Sequence, residues 1–75
     1  MRLLSANDLR HLSAARHRGE RLVLERRTAD GRMRVRASII PAGPPWPVDM
    51  VIRVERWHPN GVYETRNFIS VEEIR

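Results

Sequence analysis

The side chains of this sequence best suited to chemistry are its arginines. All 14 basic residues of the 75 are Arg, and the formal net charge is +5. A guanidinium presents a planar fork of donors that binds phosphate or carboxylate with two hydrogen bonds. A GC-rich genome, which favours Arg codons, is the simpler explanation for the absence of Lys. Ten arginines lie within residues 1–36 against four acidic residues, whereas residues 37–75 hold four against five. This asymmetry predicts one basic surface that faces an anionic partner.

No pattern in the sequence indicates catalysis or a metal site. The three histidines, His11, His17 and His58, are not at ligand spacing, and the chain has no Cys. A nucleophilic Ser would need a neighbouring His and an orienting acid, and the serines are explained as helix caps or strand residues. The glycines fall at predicted caps and turns rather than in a phosphate-binding loop. We therefore expect no enzymatic activity, no cofactor and no metal.

Length and hydropathy limit the class of protein. A chain of 75 residues has room for one domain, residues 1–75. No apolar run approaches a membrane span, and the N-terminal stretch lacks the apolar region of a signal peptide. The lack of Cys fits a reducing compartment. We expect a cytoplasmic domain, in the host cytoplasm if it is phage-encoded, that does not contact a membrane.

The first predicted element is a helix over residues 6–18. Ser5 is a natural N-cap, and Asp8 three residues later completes a variant of the capping box. Basic residues occupy the last turn, and Gly19 follows at the position of a left-handed C-cap. The apolar stripe of the helix is narrow, so we expect it to be stable only when docked on a sheet.

A β-hairpin is predicted over about residues 20–40. Asp30-Gly31 lies between alternating runs, which favours a two-residue type I′ turn. This turn places Arg27 opposite Arg34, and directly opposed residues share a face. One face is then apolar, with Leu22, Leu24, Met33, Val35, Ala37 and Ile39. The other face is basic, with Arg27, Arg32, Arg34 and Arg36 around Glu25.

A proline-rich bridge and a second hairpin follow. Four prolines within residues 41–47 predict a stiff, extended connection, in which Trp46 either caps the open end of the core or contacts a partner. Over about residues 48–69, Pro59-Asn60-Gly61 favours a type I turn with a G1 bulge. That loop pairs Trp57 with Tyr63. Residues 70–75 carry a capping pattern and predict a short helical turn, with a fifth strand as the alternative.

The predicted fold is α+β and mainly β. A short N-terminal helix precedes two antiparallel hairpins, which form a four-stranded or five-stranded antiparallel sheet or a small, partly open barrel. Leu22–Ile40 resembles the first hairpin of Sm-like and SH3-like barrels, and Asn67–Ile74 is similar to their closing segment. The N-terminal helix resembles that of Sm-like proteins, including bacterial Rho-binding antiterminators, and the hairpins resemble those of WYL domains. The Rho-binding surface of that family is acidic and this chain lacks a Trp-Tyr-Leu motif, so the resemblance implies a fold and no function.

Two classes of function fit these features. The first is a non-enzymatic module that contacts the nucleic-acid backbone, or a nucleic-acid-processing complex, through the arginine face. The alternative is a phage-type or accessory regulator that binds one host protein of the transcription or defence machinery, or a homodimeric structural protein. A solvated strand face without any partner is the plainest interpretation. The candidate contacts are Arg27, Arg32, Arg34 and Arg36, extended by Arg10, Arg18 and Arg21, with Trp57, Tyr63 and Trp46 as aromatic contacts.

Overall fold

The computed structural model describes residues 3–74. Met1, Arg2 and Arg75 lie outside these residues. Arg75 is the last position of the predicted turn 70–75. Four antiparallel strands form one sheet in the order β1-β2-β3-β4, with β1 and β4 at its edges, which confirms the four-stranded α+β prediction. The elements are α1 (Ala6–Arg18), β1 (Val23–Arg27), β2 (Arg34–Pro41), β3 (Met50–Trp57), β4 (Tyr63–Phe68) and a 3₁₀ helix (Val71–Ile74). Within residues 3–74, neither helix is long and apolar enough to cross a membrane.

The ends of α1 are set by the predicted caps. The Asp8 N–H donates to Ser5 Oγ at 3.0 Å, and the Ser5 N–H donates to Asp8 Oδ2 at 3.1 Å, which completes the capping box. Gly19 adopts the left-handed conformation with φ 67°, and its N–H returns to carbonyls of the last turn. These bonds satisfy backbone groups that a helix end otherwise leaves unpaired. The helix therefore begins and ends where the sequence predicts.

The first hairpin has the predicted register but a different turn. Arg27 lies opposite Arg34. The predicted type I′ turn is wrong, because such a turn needs a positive φ at both central residues. Gly31 is left-handed with φ 70°, whereas Asp30 has no positive φ. The loop instead runs over residues 29–32 and is closed by Thr28, whose N–H donates to the Met33 carbonyl at 3.0 Å.

The Asp30 side chain explains this wider loop. Its Oδ1 accepts from the Thr28 hydroxyl at 2.6 Å and from the Arg32 N–H at 3.0 Å. An Asp side chain that satisfies backbone groups in this way favours an ordinary turn over the strained left-handed conformation at its own position. The register survives because the four-residue loop is centred on the same two residues as the predicted two-residue loop.

The two hairpins join edge to edge through β2 and β3. Their register runs from Arg34 opposite Trp57 to Pro41 opposite Met50. Past the last pair, the Ala42 N–H donates to the Asp49 carbonyl at 2.8 Å, which closes the base of the proline-rich bridge. The Pro44-Pro45 peptide bond within the bridge is cis.

The second hairpin confirms the predicted bulge. The His58 N–H donates to the Val62 carbonyl at 2.9 Å, and Gly61 is left-handed with φ 86°. Trp57 therefore pairs with Tyr63, as the three-residue loop predicts. At the C-terminus, the Glu72 N–H donates to Ser70 Oγ at 3.2 Å. The tail is a 3₁₀ helix, which confirms the predicted helical turn and not the alternative of a fifth strand.

The core lies between α1 and one face of the sheet. Leu12 and Ala15 of the helix pack over this inner face, and Ile74 of the 3₁₀ helix joins them. Along each strand, alternate residues point to this side, as the pleat requires. The buried core residues are Leu4, Leu12, Ala15, Val35, Ala37, Ile39, Ile52, Val54, Phe68 and Ile74. Leu22, Leu24 and Met33 pack against the core with partial exposure, so the predicted apolar face of the first hairpin is confirmed.

A charge pair holds the start of α1 on the sheet. Arg26 lies opposite Val35 and so belongs to the inner face, where its guanidinium donates to Asp8 Oδ1 at 2.9 Å and to Oδ2 at 3.3 Å. Burial by itself raises the pKa of Asp8, but the Ser5 N–H and the Arg26 guanidinium outweigh it and hold that pKa below its usual 3.8. Asp8 is therefore a cap and an ion-pair partner at once.

The Asp8–Arg26 pair yields the first prediction. We expect Asp8→Ala to lower the free energy of unfolding by about 1–3 kcal/mol, because it removes a cap partner and leaves a guanidinium without its carboxylate. In a double-mutant cycle with Arg26→Ala, urea unfolding should give a coupling free energy of about 1 kcal/mol. Asp49→Ala, which removes the same charge from an exposed position, is the control. Additive effects of the two changes would contradict the pairing.

The lowered pKa of Asp8 gives a second, pH-dependent prediction. A carboxyl whose pKa is lower in the folded chain stabilises it fully above the unfolded pKa, and this contribution is lost as pH falls through the folded pKa. The difference in unfolding free energy between wild type and Asp8→Asn should thus stay constant at neutral pH and shrink below about pH 4. Urea unfolding at a series of pH values measures it. A difference that grows on acidification would contradict the assignment.

Candidate nucleic-acid interface

The sheet face opposite α1, called the outer face here, carries a cluster of arginines. It consists of the side chains that alternate with the core residues. By strand, these are Val23, Glu25 and Arg27; Arg34, Arg36, Ser38 and Ile40; Val51, Arg53, Glu55 and Trp57; and Tyr63, Thr65 and Asn67. Four arginines and two glutamates give this face a positive balance.

One row of the outer face crosses all four strands. Arg27, Arg34, Trp57 and Tyr63 lie directly opposite one another in turn, and we call this row the strip. Facing residues in antiparallel strands are close enough for their side chains to touch. The strip lies at the end of the sheet where both hairpin loops lie. It therefore joins the basic hairpin to the aromatic one.

Trp57 is the centre of the strip. The Arg34 guanidinium carbon lies 3.9 Å from the centroid of the Trp57 ring, and that of Arg36 lies 5.6 Å away. On its other side, Trp57 meets Tyr63 with ring centroids 5.2 Å apart at 47°. Guanidinium stacking on an indole is a favourable cation–π contact that also restrains both groups.

The arginines of the outer face differ in how firmly they are held. Arg34 Nε lies 3.4 Å from Glu25 Oε1, so Arg34 is fixed between a carboxylate and an aromatic ring. The side chain of Arg27 is 63% exposed and reaches the same carboxylate only at 3.9 Å. Within the described residues, Arg36 forms no ion pair, although Glu25 and Glu55 flank it on the neighbouring strands. Arg27 and Arg36 are therefore held less firmly by carboxylates than Arg34 is.

Tyr63 is tied to the glutamate beside the strip. Its hydroxyl donates to Glu55 Oε2 at 2.8 Å. This hydrogen bond, reinforced by partial desolvation, raises the pKa of Tyr63 above its usual 10.0. The residue stays 48% exposed at the sheet edge. Tyr63 thus offers a positioned aromatic face to solvent.

The structure brings only part of the predicted contact set together. Arg32 lies in the loop at the end of the sheet occupied by the strip. Arg10 and Arg18 belong to α1 and so lie on the opposite side of the sheet. Arg21 precedes β1, at the far end from Arg27. Trp46, 38% exposed, lies in the bridge before β3. The start of β3 is roughly 20 Å along the sheet from Trp57, at about 3.3 Å per residue.

Two contributors to this face were missed as site residues. Arg53 adds a fourth guanidinium, whose Nε donates to Asn67 Oδ1 at 3.4 Å, and Glu55 positions Tyr63. The signal that would have revealed them is the register between β2 and β3, which turn residues do not encode. Val51, also on the outer face, is only 1% exposed yet lies outside the core cluster.

Neither a metal-binding cluster within residues 3–74 nor a match to a known protein points to a function. No group of three or more His, Asp or Glu residues within residues 3–74 is arranged to hold a metal ion. The chain matches no family model, no curated protein and no solved structure. The resemblance to Sm-like and SH3-like barrels therefore stays a prediction, and the outer face itself is the main guide to function.

The Tyr63–Glu55 hydrogen bond gives a prediction specific to the outer face. Tyr63 is the only tyrosine of the chain, so its ionisation can be followed by ultraviolet absorbance alone. We expect Glu55→Gln to lower the pKa of Tyr63 towards its usual value, because the charged acceptor is removed. Glu64→Gln, whose side chain lies on the inner face of β4, should leave that pKa nearly unchanged. Equal effects of both changes would contradict the contact.

Proposed function

We propose that this chain is a non-enzymatic binding module whose outer face contacts single-stranded nucleic acid. The observation that carries the proposal is the strip, in which two guanidiniums and two aromatic rings share one row whose ends, Arg27 and Tyr63, are exposed. Proteins that bind single strands with little sequence preference combine a basic track for the backbone with aromatic faces for the bases. The outer face combines both features within one sheet.

The contacts of the arginines support a different role for each of them. Arg27 and Arg36 are the residues we assign to phosphates, because Arg27 meets a carboxylate only at 3.9 Å and Arg36 forms no ion pair within the described residues. Arg34 stacks on Trp57 and orients the ring. Tyr63, half exposed at the edge, is the aromatic face that a base would reach first.

The glutamates limit the strength of this interface. Glu25 and Glu55 lie between the arginines, so an approaching phosphate meets carboxylates as well as guanidiniums. Two polar side chains of the outer face that could read base edges, those of Asn67 and Tyr63, are already engaged with Arg53 and Glu55. We therefore propose weak, salt-sensitive binding with little sequence preference.

An acidic protein surface is the second candidate partner for the same arginines. Exposed Arg and Tyr are common anchors at protein interfaces, and the proposed alternative of a regulator bound to one host protein uses this face. The two candidates differ in the response to salt and in the requirement for a base to stack on Tyr63. We place nucleic acid first because the aromatic rings lie in the same row as the guanidiniums.

The test measures binding of a single-stranded polypyrimidine oligonucleotide over a range of salt concentrations. Trp46→Phe leaves Trp57 as the only tryptophan, so its fluorescence reports on the strip directly. In this background, Arg27→Gln with Arg36→Gln should weaken binding. The slope of log K against log salt should also become shallower, by about 0.7 for each phosphate that the variant no longer neutralises.

The matched control is Arg10→Gln with Arg18→Gln. It removes the same charge from α1, on the opposite side of the sheet, and should leave both affinity and slope nearly unchanged. Equal losses from the two pairs would show attraction to net charge alone and would overturn the assignment of the outer face. Absence of binding at low salt, with retained binding to an acidic polypeptide, would favour the protein partner.

A further inference from the structure

We infer that two copies of this chain form a symmetric dimer by pairing their β4 strands antiparallel, with Thr65 facing Thr65 of the second copy. This inference is independent of the proposed function, because it rests on the edge of the sheet and its charges. β4 has a neighbour, β3, on one side only. Its residues from Tyr63 to Arg66 are all exposed.

The hydrogen-bond phase of β4 decides which backbone groups are available. The Val62 carbonyl accepts from His58 on the β3 side, so the even-numbered residues of β4 point their backbone groups towards β3. In an antiparallel ladder the groups of the intervening residues point the other way. The N–H and C=O groups of Tyr63, Thr65 and Asn67 therefore face outward along the free edge.

A two-fold axis at Thr65 would pair these outward N–H and C=O groups with the same groups of a second copy. Thr65 then faces its own copy, and Tyr63 faces Asn67 of the second copy. Each of these facing pairs can exchange two hydrogen bonds. An interface of this kind is isologous, since the same edge serves both copies.

Charge selects this register over its neighbours. With the axis at Thr65, Glu64 faces Arg66 of the second copy, and the symmetry repeats the attraction. An axis at Glu64 would oppose the two glutamates, and an axis at Arg66 would oppose the two arginines. Like charges directly opposite in a sheet are destabilising. The carboxylate of Glu64 also contacts the His58 imidazole, which leaves its second oxygen for the arginine.

The other edge fits a self-pairing less well. β1 has five residues and carries Glu25 at its centre, so a two-fold axis there would oppose two glutamates. Its Arg26 is already held by Asp8. Pairing through β4 would also place both outer faces on the same side of one continuous sheet, with the helices on the other side.

The test is charge reversal with exchange of partners. Sedimentation equilibrium over a wide concentration range should show a monomer–dimer equilibrium for the wild type. Glu64→Arg and Arg66→Glu should each raise the dimer dissociation constant by about tenfold or more, since each turns two attractions into repulsions. Mixing the two variants should restore the dimer as a heterodimer, because every facing pair is then of opposite charge. Glu72→Arg, an exposed change outside β4, is the control.

Amide hydrogen exchange of the wild type tests the same edge without any mutation. On raising the protein concentration, the amides of Tyr63, Thr65 and Asn67 should become protected, whereas those of Glu64 and Arg66 should be protected at every concentration. A chain that stays monomeric at all concentrations would overturn the inference. So would a dimer that both charge reversals leave intact, or one that the mixture fails to restore.

Discussion

The pairing of β2 with β3 is the constraint on which the rest of the structure depends. It joins two hairpins that are each defined by their own turn, and it places Arg34 beside Trp57. Because side chains alternate between faces, a slip of one residue in this pairing would turn Trp57 towards α1 and expose core residues such as Ile52. The same register therefore builds the apolar face that α1 covers and the outer face that carries the strip.

The arginines serve different purposes on the two sides of the sheet. On the inner side, Arg26 is bound by the buried Asp8 and fixes the start of α1. On the outer side, Arg34 is stacked on Trp57 and paired with Glu25, whereas Arg27 and Arg36 are held less firmly by carboxylates. The positive charge of the N-terminal half is thus partly structural. Only the share on the outer face supports the proposal of an anionic partner.

Much of the fold could be predicted because local rules decide it. The caps at Ser5 and Gly19 fix α1, and the loop chemistry at Gly61 fixes the second hairpin. The predicted type of the turn at Asp30 was wrong, because the Asp30 side chain accepts hydrogen bonds from Thr28 and Arg32. The Asp-Gly sequence does not reveal these bonds. Only part of the candidate site could be predicted, because the proline-rich bridge does not determine the register between the two hairpins. The side of the sheet on which Arg10 and Arg18 lie likewise depends on helix docking.

An NMR titration of the chain with a single-stranded oligonucleotide tests the proposal that the outer face is the binding surface. We expect the signals of the outer face to shift together and saturate at one concentration: the Trp57 indole, the Tyr63 ring and the Arg27 and Arg36 guanidiniums. Signals of Arg10 and Arg18 on α1 should stay in place. Shifts confined to α1 or to the bridge around Trp46, or no shifts at low salt, would contradict it.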